Sequence, residues 1–381
     1  MADLRKNLGV GVAALALVAV SAPAASAEDV VADDLTTPLG FAVGDDGTLY
    51  VAEAFAGLLT RISPDGDRQE IASAPPGSGT SGVALAPGGS VFYTLSLPPE
   101  QGSPPDTALA VAYPGGRTKT LASLSEYEAE NNPDAGNTYG ITHRGACYRD
   151  FSKYPKFLGP VQYTGQVESN PYAVAWESAG NLLVADAAGN DIVRVDHGNV
   201  STVAVLPPIK QELDKTTVRQ QVKKINRKLE KRGKDPIPRD SLDSCIGKKY
   251  ASNPVPTDVE IGPDGHYYVS TLPGAPELPG TSRVYRVDSQ PGDLTVVAKG
   301  LTSGTDLAVA ADGTIYVTEL FASQLATIAP GSSTVTARQP VACPTAVEVS
   351  GGDLYVAQGG ICGPDPGRIV TIPAGPSGSS G

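Results

Sequence analysis

The sequence predicts an all-β chain folded as a six-bladed β-propeller whose ring is closed by an N-terminal strand. Three observations predict it. A hairpin phrase occurs six times, a lone strand precedes the first copy, and the last copy is followed by no fourth strand. The first runs of the phrase lie at 38–43, 81–85, 171–175, 256–260, 305–309 and 344–349. Each leads through a turn such as Asp45-Asp46-Gly47, Pro87-Gly88-Gly89 or Ala311-Asp312-Gly313 into an aliphatic-aromatic run. Asp-Gly and Gly-Gly between β-rich runs mark hairpins. A repeat of ~40–45 residues with several short strands in each copy has the period of a propeller blade.

Taken in order, residues 1–27 read as a secretory leader. Arg5 and Lys6 are followed by an apolar run over 8–20 and by the small-residue cleavage motif Ala25-Ser26-Ala27, so the mature chain is expected to start at Glu28, outside the cytoplasm. No later segment is apolar for long enough to span a bilayer as a helix. The propeller occupies 28–373. Its lone first strand is at 29–32. Third strands such as 58–62 and 283–287, and fourth strands such as 69–72 and 294–298, follow the hairpins. The sixth copy has a third strand at 368–372 and then a Gly/Ser-rich stretch, 374–381, that reads as a flexible tail. The lone strand is therefore expected to pair with 368–372, complete the sixth blade and remove an open sheet edge.

Two insertions interrupt the ring, 125–166 and 207–250. The second contains a helix between blades three and four, because Val218, Val222, Ile225 and Leu229 recur on one face. Its other face is basic: Lys215, Arg219, Lys223, Lys224, Arg227, Lys228, Lys231 and Arg232. Thirteen Lys/Arg against six Asp/Glu fall in 207–250, while the whole chain carries a formal charge of -12. The charge is segregated, and the acidic remainder excludes nucleic acid as a partner. The helix is expected to lie outside the ring. Its stripe either folds back on the acidic propeller or presents the basic face to an anionic partner or envelope polymer.

Four cysteines in an exported chain imply two disulfides. Cys343 precedes the first strand of the last hairpin and Cys362 follows its second, so the open end of that hairpin brings them together. The remaining pair is Cys147 with Cys245, one from each insertion.

Several segments are similar to one family. Residues 124–134 (Leu-Ser-Glu-Tyr-Glu-Ala-Glu-Asn-Asn-Pro-Asp), Ser169-Asn170-Pro171-Tyr172, the run 184–195 beginning Val184-Ala185-Asp186, and the runs 255–259, 262–269 and 283–287 together resemble the ScyD/ScyE family of exported propellers. The resemblance covers essentially the whole mature chain. It implies an exported six-bladed propeller of the NHL/TolB-like kind and no defined activity. The basic helix and the His143–Cys147 segment depart from that pattern.

Candidate functional residues fall into two sets. At the starts of the inner strands, the ligand ring of a calcium-dependent lactonase propeller would need one Glu, two Asn and an Asp. Gly40, Gly82, Tyr172, Thr257, Thr305 and Thr345 are assigned there, and none is a carboxylate or amide. The next column comprises Phe41, Val83, Ala173, Asp258, Asp306 and Ala346. Two residues further lie Val43, Leu85, Ala175, Glu260, Ala308 and Glu348. Strand alternation puts Asp258, Glu260, Asp306 and Glu348 on one face near the axis. There they either raise one another's pKa and bind a divalent cation such as calcium, or accept hydrogen bonds from neighbouring backbone amides. The second set, Tyr127, Asn131, Asn132, Asn170 and Tyr172, offers aromatic and amide groups at one rim. Glu53, Asp186 and Glu319 end second strands at equivalent places, which points to a structural role.

The leading functional expectation is an exported binding or scaffold module, monomeric, with a small-molecule, envelope or protein partner. The alternative is an enzyme acting on a small or aromatic metabolite at the axial mouth, assisted by a cation. An acidic cluster open to a channel favours the enzyme; a blocked channel favours the binder.

Overall fold

The computed structural model describes residues 28–98, 105–290 and 292–373. The leader expected over 1–27 and the tail 374–381 lie outside the described residues. The described residues form seven four-stranded antiparallel sheets. Sheet one begins with Pro38–Val43, sheet two with Val83–Leu85, sheet three with Pro171–Ser178, sheet four with Pro256–Ile261, sheet five with Gly304–Val309 and sheet six with Pro344–Ser350. These six first strands touch in cyclic order, and sheet six returns to sheet one. The chain is a β-propeller. Its ring closes as the orphan strand requires: Asp29–Leu35 pairs with Gly367–Pro373, with Asp29 opposite Thr371 and Val30 opposite Val370. Glu28 adds an ion pair to Arg368 at 3.1 Å.

One backbone device recurs where the inner strands start. In four sheets the preceding residue, Thr37, Val255, Ser303 or Cys343, has φ between 48 and 58°. Its carbonyl accepts the N–H that follows the second strand, from Ala54, Leu272, Leu320 and Gly359 respectively. β-Branched Thr and Val resist that conformation, so the surrounding bonds hold it. The register then skips one residue, between Pro38 and Gly40, Pro171 and Ala173, Pro256 and Asp258, Gly304 and Asp306, and Pro344 and Ala346.

This register corrects the column assignment in sheets one and two by one residue. Gly40 pairs with Ala52 where Asp306 pairs with Thr318. Leu39 and Ser81 therefore match Tyr172, Thr257, Thr305 and Thr345. Gly40 and Gly82 share the column of Asp258 and Asp306, and Ala42 and Ala84 that of Glu260 and Glu348. The bulge lies one residue after each of Pro38, Pro171, Pro256 and Pro344, so counting from the proline puts Leu39, not Gly40, level with Tyr172, Thr257 and Thr345. The glycines are needed there: a Cβ on Gly40 would lie 2.1 Å from the Ser81 carbonyl oxygen, and one on Gly82 2.7 Å from Cα of Ala173.

The seventh sheet is a second departure. Both insertions contribute two strands to it, in the order Gln162–Thr164, Thr138–Gly140, Lys248–Ser252, Ile209–Leu213. Four helices accompany them: α1 (Leu124–Asn131), α2 (Ala146–Phe151), α3 (Pro155–Leu158) and α4 (Lys215–Glu230). The stripe Val218, Val222, Ile225 and Leu229 of α4 is buried, but against Phe151, Leu213, Leu242 and Tyr250 of the insertions themselves rather than on the ring. Burial of each such side chain contributes about 1.5–3 kcal/mol. Asp214 caps α4 by accepting the Thr217 N–H at 2.6 Å. The Cys147–Cys245 disulfide crosses this small core, and Cys343–Cys362 spans the last hairpin. Among the described residues no helix is long and apolar enough to cross a membrane.

Candidate functional site at the propeller axis

The inner strands are stitched to one another in two layers. In the upper layer a hydroxyl in the bulge donates to the carbonyl of the first residue of the next inner strand: Ser81 to Pro171 at 3.2 Å, Thr257 to Gly304 at 3.0 Å and Thr345 to Pro38 at 2.6 Å. In the lower layer the acceptors are carboxylates. Asp258 accepts the Leu307 N–H and Asp306 the Val347 N–H, both at 3.0 Å. The two aspartates thus act as clasps between sheets four, five and six, the structural alternative weighed for them above.

Glu260 and Glu348 lie one step further along the same face. The four acids interact, and all are held above the ordinary carboxylate range. Burial is the main cause for each; repulsion from the other acids adds to it for Glu260, Asp306 and Glu348. Asp258 is pushed up to about 7 and Glu348 to about 8. The phenol of Tyr172 is raised too, by burial and by Asp306 and Asp258. Tyr172, Asp306 and Glu348 line an axial cavity of about 20 Å³ with Leu39 and Ser81, room for about one water molecule.

Above it, sharing Leu39, Ser81 and Tyr172, opens a dish of about 390 Å³ over sheets one to three. Phe55, Thr94 and Asn170 complete its wall. Phe55 is 69% exposed, and Phe321, at the equivalent place in sheet five, is 66% exposed. Sequence reasoning passed over both. The signal was the parallel between Glu53-Ala54-Phe55-Ala56-Gly57 and Glu319-Leu320-Phe321-Ala322-Ser323, each a strand end followed by a tight turn with an aromatic at its tip.

The second set of candidates is divided by the fold. Asn170 and Tyr172 face the dish. Tyr127 instead bonds Thr202 of sheet three at 2.8 Å, Asn131 donates to the Tyr127 carbonyl, and Asn132 donates to the Gly165 carbonyl at 3.4 Å. Glu53, Asp186 and Glu319 share one role. Each accepts the N–H of a residue just before its inner strand, from Thr36, Asn170 and Thr302. Among the described residues no three Asp, Glu, His or Cys side chains have the spacing of a formed metal centre. An ion in the axial cavity would fall to Asp306 and Glu348, whose chemistry suits a hard cation but whose cavity is narrow for it.

Comparison with known proteins supports the fold. No family model and no curated protein matches the chain. Among solved structures it is similar to the PQQ-bound aldose sugar dehydrogenase of Streptomyces coelicolor (15% identity, 92% of this chain and 99% of that one, TM-score 0.53). It is also similar to a gluconolactonase of Xanthomonas campestris (12%, 90% and 89%, 0.52). A third is a streptogramin B lyase (12%, 91% and 96%, 0.50). At these identities the likeness establishes the propeller architecture.

Proposed function

We propose that the protein is an exported, monomeric six-bladed propeller, with the seventh sheet outside the ring, and that it works as a binding module. Its ligand would sit in the dish. The observation that carries this reading is the pairing of a wide dish with a nearly closed axis: about 390 Å³ above, about 20 Å³ below. A metabolite has space to rest on Phe55, Leu39 and Tyr172 and to hydrogen-bond Asn170 or Thr94, but no space to reach Glu260. The two disulfides agree with an extracytoplasmic location. The ligand class that fits is a small molecule with one flat apolar face and a polar edge. A thermal-shift panel of such compounds tests it, because a ligand selective for the native state raises its stability. The expected hits lose their shift in Phe55→Ser and in Tyr172→Ser; hits indifferent to both variants would exclude the dish.

One observation favours the enzyme reading. Carboxylic acids held near neutral pH, as Asp258 and Glu348 are, are matched to proton transfer at physiological pH. Under that reading turnover of a dish ligand would vanish in Glu348→Gln while binding persisted. The exposed basic face of α4 supports an anionic envelope partner as well: Lys223, Lys224, Arg227 and Lys228 all stand in solvent. Replacing these four by Gln is expected to weaken envelope association at low salt and to change nothing at high salt.

A further inference from the structure

We propose that a second group of carboxylates, Glu128, Asp134, Asp186 and Asp191, holds a hard divalent cation of the calcium class and so fastens the first insertion to sheet three. The group is built from two parts of the chain. Glu128 lies on α1 and Asp134 in the turn that follows. Asp186 ends the second strand of sheet three, and Asp191 begins the third directly opposite it. Hydrogen bonds draw the parts together. Ser169 Oγ donates to Asp186 Oδ2, and Asn190 Nδ2 and the Tyr139 hydroxyl donate to Asp134 Oδ2 at 2.9 and 2.8 Å. Asp191 Oδ1 and Asp186 Cγ both lie within 3.3 Å of one point beside Gly189.

The four acids are sealed: their exposures are 3, 1, 4 and 1%. Asp186 is satisfied, by the Asn170, Ala188 and Gly189 N–H groups as well as by Ser169. The others are not. Both carboxylate oxygens of Asp191, Oε1 of Glu128 and Oδ1 of Asp134 have no hydrogen-bond partner, and neither has the amide oxygen of Asn132. None of the ion pairs among the described residues reaches the group. The four repel one another: Asp191 feels Asp186, Glu128 and Asp134, and Glu128 feels Asp186 and Asp134.

Buried like charges with unmet oxygens are costly unless something neutralises them, and carboxylates opposite each other across a hairpin add to that cost. Four unpartnered carboxylate oxygens, with no sulfur or imidazole among them, form the donor set that a calcium-class ion selects. The positions shown are not those of a closed site, so the ion would pull the side chains inward by rotation about Cα–Cβ and Cβ–Cγ. Because Glu128 and Asp134 come from the insertion and Asp186 and Asp191 from the ring, the ion would cross-link the two. The binding module proposed above does not depend on this ion, since the dish wall belongs to other residues.

The test uses the disulfide-bonded full chain dialysed against EDTA. CaCl2 is titrated in by calorimetry, the thermal midpoint is followed, and TbCl3 luminescence is excited through tyrosine, because Tyr139 touches Asp134. The expected result is one saturable calcium site, filled by about 1 mM free ion as in extracellular modules, and a midpoint that climbs with calcium. Asp191→Asn and Glu128→Gln should each weaken binding by about tenfold or more, whereas Glu260→Gln with Glu348→Gln leaves it intact. Absence of saturable calcium or terbium binding in the wild type overturns the proposal. So does binding that survives the first two variants and disappears in the axial one. If Asp191→Asn does not fold, Tyr139→Phe decides: loss of tyrosine-sensitised terbium emission with calcium affinity retained supports the site, and unchanged emission rejects it.

Discussion

The propeller carries two groups of four carboxylates, and it holds them in opposite ways. At the axis, Asp258 and Asp306 each receive a backbone N–H from the next inner strand, Glu348 lines a cavity with Asp306, and Glu260 lies on the same face. Beside sheet three, Asp186 takes four donors and Asp134 two on a single oxygen, while both oxygens of Asp191, Oε1 of Glu128 and the other oxygen of Asp134 stay unmet behind a sealed wall. Both groups stand above the usual carboxylate pKa with burial as the leading cause. A raised pKa therefore does not distinguish them; the fate of each oxygen does. Acids that bond amides across blades are part of the scaffold, and acids left open are free to meet something else.

The largest effect that separates the two groups is expected at Asp186. Asp186→Ala removes the acceptor for three backbone amides and a serine in a site only 4% exposed. Hydrogen bonds to a charged group contribute about 1.5–3 kcal/mol each, and unmet buried donors cost about 1–3 more. Denaturant unfolding should show a loss of at least about 3 kcal/mol. Glu260→Ala should stay within about 1 kcal/mol, since it ends a repulsion as well as a packing contact. Equal losses at the two sites would erase the distinction.

The next effect is a pH dependence. The axial acids have folded-state pKa values raised above those of the unfolded chain, with Asp258 near 7 and Glu348 near 8. Between the unfolded carboxylate values of about 4 and those folded values, the native state retains protons that the unfolded chain has released. Their stabilising contribution is therefore full below about pH 4 and is lost as pH rises toward 8. The double variant Glu260→Gln/Glu348→Gln should flatten this fall. Subtracting its thermal-midpoint profile from that of the wild type, in EDTA, isolates the axial share. A difference that does not change between pH 4 and 8 would place these acids in ordinary solvent.

The ring itself was legible because each hairpin carries its own turn chemistry and alternation, which are local. Ring closure was legible from the orphan strand at Val30 and the polar tail after Pro373. The disulfide pairs followed from where the cysteines fall. The register in sheets one and two was not: Gly40 lies two residues after Pro38 whereas Tyr172, Thr257 and Thr345 lie one after their prolines, and Thr80-Ser81-Gly82 in sheet two has no proline to count from. Nor was the seventh sheet, since Thr138–Gly140 and Lys248–Ser252 meet only through distant pairing at Gly140 and Ala251. The alternation of Ile209, Gln211 and Leu213 was its one local signal. The α4 stripe showed that the helix packs, but its partner Leu242 lies in a stretch with no periodicity. The peripheral acids were hidden for a similar reason. Glu128, Asp134, Asp186 and Asp191 sit in segments singled out for family likeness, yet no spacing ties 128 to 191. Asp186 ends its strand at the place equivalent to Glu53 and Glu319, and the structural role this points to describes its own bonds and not its neighbours.

The smallest expected effect tests whether the axial aspartates are clasps in the strict sense. Asp306→Asn keeps an oxygen where Asp306 Oδ1 meets the Val347 N–H and removes the charge that Asp258, Glu260 and Glu348 oppose. Two opposing terms follow. The bond to an amide oxygen is weaker than one to a carboxylate by a fraction of its net worth, about 1 kcal/mol. Relief of repulsion offsets that loss above the folded pKa of the group and not below it, where Asp306 is already neutral. Stability should thus change by less than about 1 kcal/mol and become relatively more favourable for the variant as pH rises. Hydrogen exchange supplies the readout that stability alone would miss. The Val347 amide should stay protected in Asp306→Asn and lose protection in Asp306→Ala, because only the second removes the acceptor. Fast exchange in both would mean that the carboxylate charge, and not the hydrogen bond, holds sheets five and six together.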